Sequence, residues 1–196
     1  RSAAVNDRLR TSALASGAPA VVTAAILFLT YRYLLGSLSA EQFGLWALVA
    51  SIAALARVGD LGLSASLSRF VAVDLAAGDR ESAASVVQSA TVAVALFSSG
   101  FALLVYWPAR WLLPGVVPAD FLAEARARLP FTLISLVLLM VGLTLAGALE
   151  GCQLFVRRAV VGVAGSLALL FGSMLLVPGR GVVGIGIAQV LQGIVV

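Results

Sequence analysis

The sequence predicts an all-α protein, a polytopic membrane helix bundle of about six transmembrane helices with almost no soluble mass. Three observations carry that prediction. Hydrophobic residues make up 61% of the 196 and charged residues only 11%, a balance far from that of a soluble domain, which could not bury so much apolar surface at this size. The apolar residues fall in runs of about 20, the length that crosses a hydrocarbon layer of about 30 Å as a helix. The 13 basic residues are all arginine, most of them between those runs, so the net charge of +4 is that of membrane loops and not of a nucleic-acid surface.

What is absent removes whole classes of chemistry. The chain has no His, hence no imidazole base, no His-ligated metal and no His-containing nucleophilic triad. Its one cysteine, Cys152, cannot close an internal disulfide. No Walker-type phosphate loop is present, so the chain carries no ATPase motor of its own. The expectation is a transporter, not an enzyme, with no cofactor, no metal and no nucleic-acid partner.

Residues 1–13 form a short polar leader with Arg1, Arg8 and Arg10, expected along the cytoplasmic face. The first span is residues 14–35, too long for the apolar region of a cleaved signal. The second run, residues 43–77, is too long for one untilted span and is broken near 59–62 by Gly59-Asp60-Leu61-Gly62. Two glycines three apart weaken a helix and make Gly59 and Gly62 hinge candidates; such breaks survive in a membrane only beside protein or a water-filled cavity. The third span is residues 83–107, ended by Pro108, and a loop is expected from Pro108 to Arg128. Spans at 129–149, 159–177 and 182–196 complete the six. A sixth span still apolar at Val196, and an opening Arg in place of Met, predict a fragment of a longer chain.

An inside amino terminus puts Arg1, Arg8, Arg10, Arg69, Arg80, Arg157 and Arg158 on the cytoplasmic side. Arg32, Arg110, Arg126, Arg128 and Arg180 fall on the other side, with Arg57 left within the membrane. The excess inside is small but follows the positive-inside rule.

The order Arg32-Tyr33-Leu34-Leu35-Gly36, Glu41-Gln42-Phe43-Gly44-Leu45-Trp46, Gly59-Asp60-Leu61-Gly62-Leu63, Ser68-Arg69-Phe70-Val71-Ala72 and Gly78-Asp79-Arg80 resembles the amino-terminal part of the polysaccharide and O-antigen flippases. These belong to the multidrug/oligosaccharidyl-lipid/polysaccharide exporter superfamily. Ala148-Leu149-Glu150-Gly151-Cys152-Gln153 resembles the turn between that family's fourth and fifth helices, and Gly184 to Gln192 its sixth. The resemblance implies one lobe, the amino-terminal one, of a two-lobe fold around a central cavity. It implies export of an undecaprenyl-diphosphate-linked oligosaccharide or polysaccharide repeat unit across the bacterial inner membrane by alternating access. It also implies as partners the lipid bilayer, the lipid-linked glycan, a second lobe, either in the same chain or as another copy of it, and a glycan polymerase, with coupling to a proton or sodium ion in view.

The charges admit two readings each. Arg57 and Asp60, three apart, share a helical face and can pair. Either they face a cavity, where the planar fork of Arg57 suits a diphosphate, or they form an interfacial helix-end pair with Arg57 snorkelling. Arg32, beside Tyr31 and Tyr33, fits an interfacial belt as well as a cavity wall. Arg69 fits an amphipathic helix end in the headgroup layer, or a guide for an entering lipid diphosphate. Gln189 and Gln192 could bond a neighbouring helix or a sugar, while Gly142, Gly147, Gly162 and Gly165 read as packing positions. Trp107 and Trp111 fit an interfacial belt.

Two rivals stand beside the flippase. A drug or cation antiporter of the same superfamily needs an intramembrane carboxylate, for which Asp60 is the candidate. A membrane enzyme or assembly partner in polyprenol-linked glycan synthesis would need clustered acids; Asp79 with Glu81 and Asp120 with Glu124 are sparse, each with an arginine close by.

Overall fold

The computed structural model describes residues 2–44, 46–47 and 62–196, with side chains from Pro19 onward, Val116 excepted. Among the described residues every regular element is a helix. Helix α1 spans Ser2–Ser37, α2 Leu63–Ala76, α3 Arg80–Val116, α4 Leu122–Gly151 and α5 Phe155–Val195, with a 3₁₀ turn at Ala119–Phe121. Residues 40–44 are also helical. Among the described residues four stretches are long and apolar enough to cross a membrane: Pro19–Ser37, Arg80–Gly115, Ala119–Gly151 and Phe155–Val195.

Several helices run beyond the spans expected of them. Residues 2–13 are helical and continuous with the first span. The loop expected from Pro108 to Arg128 shrinks to the few residues between α3 and α4, because Pro108 and Pro114 sit inside α3 and Pro130 inside α4. A proline removes one backbone donor, and a membrane helix tolerates this when its neighbours restore the freed carbonyl. Arg126 and Arg128 are therefore helical residues.

Helix α5 is two helices joined at Gly181, whose φ of 54° and ψ of −134° only glycine adopts easily. The arms fold back on each other. A Cβ at Gly184 would stand 2.5 Å from the Leu176 carbonyl oxygen, and one at Gly172 would stand 3.0 Å from Ala188 Cβ. Further from the turn, Gly165 faces Val196. Small residues let the backbones approach to contact, the usual way helices associate in lipid.

The turns at the opposite end are locally encoded. Gly78, at φ 80°, ends α2, with Asp79 N–H bonded to the Asp74 carbonyl at 3.0 Å. Asp79 then caps α3 by accepting from Ser82 N–H at 2.9 Å. Gln153, at φ 58°, ends α4, with Leu154 N–H bonded to the Leu149 carbonyl at 2.9 Å. Arg158 pairs with Glu150 across this turn at 2.7 Å. The chain thus turns at residues 37–40, 117–121 and 180–182 at one end of the bundle, and at 77–79 and 152–154 at the other.

Packing is inverted relative to a soluble domain. Leu96, Phe97, Leu103, Leu104 and Leu175 are 70–80% exposed, while Thr30, Ser98, Thr144, Ser166 and Ser173 are buried. A bilayer solvates the first set, and helix carbonyls satisfy most of the second: Thr30, Ser98, Thr144 and Ser166 hydroxyls each donate one turn back. Helix α2 lies against the end of α4, where a Cβ at Gly147 would meet the Ser64 carbonyl at 2.6 Å and one at Gly151 the Ser68 carbonyl at 2.7 Å.

Candidate functional site

The densest polar chemistry among the described residues lies at the Gly181 end. Ser39 and Gln42 open the helix at residue 40 as a reciprocal capping box. Gln42 N–H donates to Ser39 Oγ at 3.2 Å, and Ser39 N–H donates to Gln42 Oε1 at 3.3 Å. This fixes the Gln42 amide and aims its Nε2 at Glu124 Oε2, 3.4 Å away. The other Glu124 oxygen accepts from Val182 N–H at 2.9 Å. That donor opens the second arm of α5, where helical N–H groups have no partner of their own and a negative charge is favoured. One carboxylate thereby ties α4 to the α5 turn and to the helix that follows α1.

Arg128 stands one turn further along α4. It is 1% exposed, the bulkiest of the fully buried side chains. Its Nε, Nη1 and Nη2 atoms have no hydrogen-bond partner. Glu124 attracts it electrostatically, but the two do not meet within ion-pair distance. The guanidinium stem lies near Gly186, where a Cβ would stand 3.5 Å from Arg128 Cγ and 3.0 Å from Phe131 Cβ. Beside it, Leu34, Trp46, Val177, Val182 and Ile185 form an apolar cluster, in which Trp46 Nε1 is also buried without an acceptor. Tyr33 reaches across from α1 to donate to the Met174 carbonyl at 3.4 Å. A buried guanidinium with all its donors free is costly and is chemically a receptor for a carboxylate or phosphate.

Of the expected site residues, Arg32, Arg69 and Gly62 are described, and none of the three belongs to this cluster. Arg57, Gly59 and Asp60 lie outside the described residues. Arg32 and Arg69 are both exposed and lie at opposite ends of the bundle, Arg32 beside the Tyr33–Met174 bond and Arg69 beside the contact of Ser68 with Gly151. Gly62 takes a left-handed φ of 80° immediately before α2. Glu124 and Arg128 carry a legible signal, an acid and a base four apart on one helix face. Placing them in a loop hides it. Gln189 Oε1 is buried without a partner, and Gln192 packs its stem near Gly165 on the facing arm.

The MatE family matches residues 18–175, well over half of the chain. The chain belongs to the MatE family. Its members are membrane transporters of the multidrug/oligosaccharidyl-lipid/polysaccharide exporter superfamily, and this MatE chain is accordingly a multi-pass membrane protein of a transport family. No curated protein and no solved structure matches it.

Proposed function

We propose that this MatE protein exports lipid-linked oligosaccharide or polysaccharide repeat units, carried on undecaprenyl diphosphate, across the bacterial inner membrane by alternating access. One observation carries the reading: among the residues whose side chains are described, the charge held free in the protein interior is a cation, Arg128, while the carboxylates are engaged or exposed. Glu124 is bonded to Val182 and Gln42, Asp74 accepts from the Ser82 hydroxyl, Asp79 caps α3 and Glu150 pairs with Arg158. Glu41, Glu81 and Asp120 are exposed at helix ends. Such an interior favours an anionic diphosphate over a cationic drug. Arg32 and Arg69, exposed at opposite ends, supply arginine wherever a diphosphate enters or leaves. Arg57 extends that series into the break before Gly62, with Gly59 and Gly62 as hinges. The amino terminus is cytoplasmic in this proposal, a second lobe completes the cavity, a glycan polymerase receives the product, and a proton or sodium gradient drives the cycle.

The drug or cation antiporter is the second reading. It rests on Asp60 as an intramembrane carboxylate and on a family that includes both kinds of transporter.

The test sets the two substrates side by side. The full-length protein is expressed in a bacterium lacking its own glycan flippase and in one lacking drug efflux. Restored surface glycan without drug resistance is the expected result, and Arg57→Ala loses export while still inserting in the membrane. Drug resistance without glycan export would make the antiporter reading the correct one. Normal export by the Arg57→Ala protein would remove Arg57 from the cavity.

A further inference from the structure

Helices α3 and α4 part along a groove of about 480 Å³ that is open to the surrounding bilayer. Ala102, Leu103 and Tyr106 line it from α3, and Pro130, Ile134 and Val137 from α4. It runs from Tyr106 and Pro130 down to Ser99 and Leu138. At the helical rise that is about 12 Å, most of the apolar depth of one leaflet.

The end of the groove near the α3–α4 turn is charged. Arg110 lies one turn beyond Tyr106 and donates from Nη1 to the Tyr106 hydroxyl at 2.9 Å. Arg126 lies one turn beyond Pro130 on the same face of α4 and is exposed, as is Arg110. Each wall of the groove therefore ends in an arginine. The nearby acids do not neutralise them: Glu124 is bonded to Val182 and Gln42, and Asp120 is exposed on the 3₁₀ turn and pairs with neither. Trp107 and Trp111 are 73% and 83% exposed on the same stretch of α3 and mark the headgroup level.

We infer that this groove holds one anionic phospholipid of the bilayer, its phosphate between Arg110 and Arg126 and one acyl chain along Leu103, Ile134 and Val137. The occupant is a resident lipid, separate from the transported substrate and independent of which substrate that is. The charge pattern sets the choice. An apolar slot alone would accept any acyl chain, whereas two guanidinium groups and a tyrosine hydroxyl at its mouth select a phosphate that keeps a net negative charge.

Contact quenching of Trp107 and Trp111 by brominated acyl chains tests this, taken as the difference from a Trp107→Phe/Trp111→Phe protein. The full-length protein is placed in phosphatidylcholine nanodiscs containing one-tenth brominated phosphatidylglycerol or, separately, one-tenth brominated phosphatidylcholine. The expected result is about twofold stronger quenching by the phosphatidylglycerol. That preference disappears in the Arg110→Gln/Arg126→Gln protein, and also in Val137→Phe, which fills the groove and leaves both arginines in place. Equal quenching by the two lipids overturns the assignment. A preference that survives Val137→Phe would reduce the effect to surface charge and overturn the groove. Undecaprenyl phosphate at the same mole fraction should leave the quenching unchanged; recovery of fluorescence would make the groove a substrate path and overturn the resident-lipid assignment.

Discussion

Gly184→Leu should yield no folded protein. At Gly184 the facing surface is backbone: a Cβ would stand 2.5 Å from the Leu176 carbonyl oxygen, 2.6 Å from its carbon and 2.9 Å from Val177 N. A side chain in the way could change rotamer, but a helix backbone cannot. Gly184→Ala already forces the arms apart at an expected cost of about 1–3 kcal/mol, the range for overpacking. Leucine separates them through the turn and with them Val182 and Ile185, both fully buried in the cluster with Leu34 and Trp46. Loss of the monodisperse detergent-solubilised protein on gel filtration is the readout. Gly162→Ala and Gly179→Ala, where a Cβ meets nothing within 4 Å, should behave as wild type. A Gly184→Leu protein that purifies like wild type would show that the α5 hairpin is not closed at this point.

The bundle was legible because hydropathy registers run length, and run length alone separates membrane helices from soluble ones. Helix ends were less legible. Pro108 looks like a terminator in the sequence, whereas α3 continues past it to Val116; the missing N–H costs one bond, and the bilayer favours helix over any exposed loop. Ending the helix at Pro108 puts Arg128 in a loop and hides the polar knot. The knot also depends on contacts across long sequence separations, Gln42 to Glu124 and Glu124 to Val182, which no local pattern encodes. What local chemistry does encode is seen in the Gly78-Asp79-Arg80 turn, which carries its glycine at positive φ and its aspartate as a cap. Ser39 and Gln42, three apart, form a capping box at the start of the helix at residue 40.

Glu124→Ala should destabilise the protein by about 3 kcal/mol. It removes the charged acceptor from Val182 N–H at 2.9 Å, a bond class worth about 1.5–3 kcal/mol, and releases the Gln42 amide. It also takes away the carboxylate that attracts Arg128, leaving a buried cation without compensation. Glu124→Gln keeps an acceptor for Val182 but not the charge, so it should fall between the two. The coupling to Arg128 is separable. Arg128→Met removes a buried charge and should be close to neutral, and the Glu124→Ala/Arg128→Met protein should therefore be more stable than Glu124→Ala alone by about 1–2 kcal/mol. Denaturant titration in mixed micelles measures all four. A double variant no better than Glu124→Ala would show that the carboxylate serves the α5 turn and does nothing for Arg128. The Arg128→Met protein, folded by the same criterion, then divides structure from transport. If Arg128 holds its donors free for an anion in another state of the cycle, this stable protein loses glycan export; if the guanidinium only fills space beside Gly186 and Phe131, export continues and the anion site lies elsewhere in the arginine series.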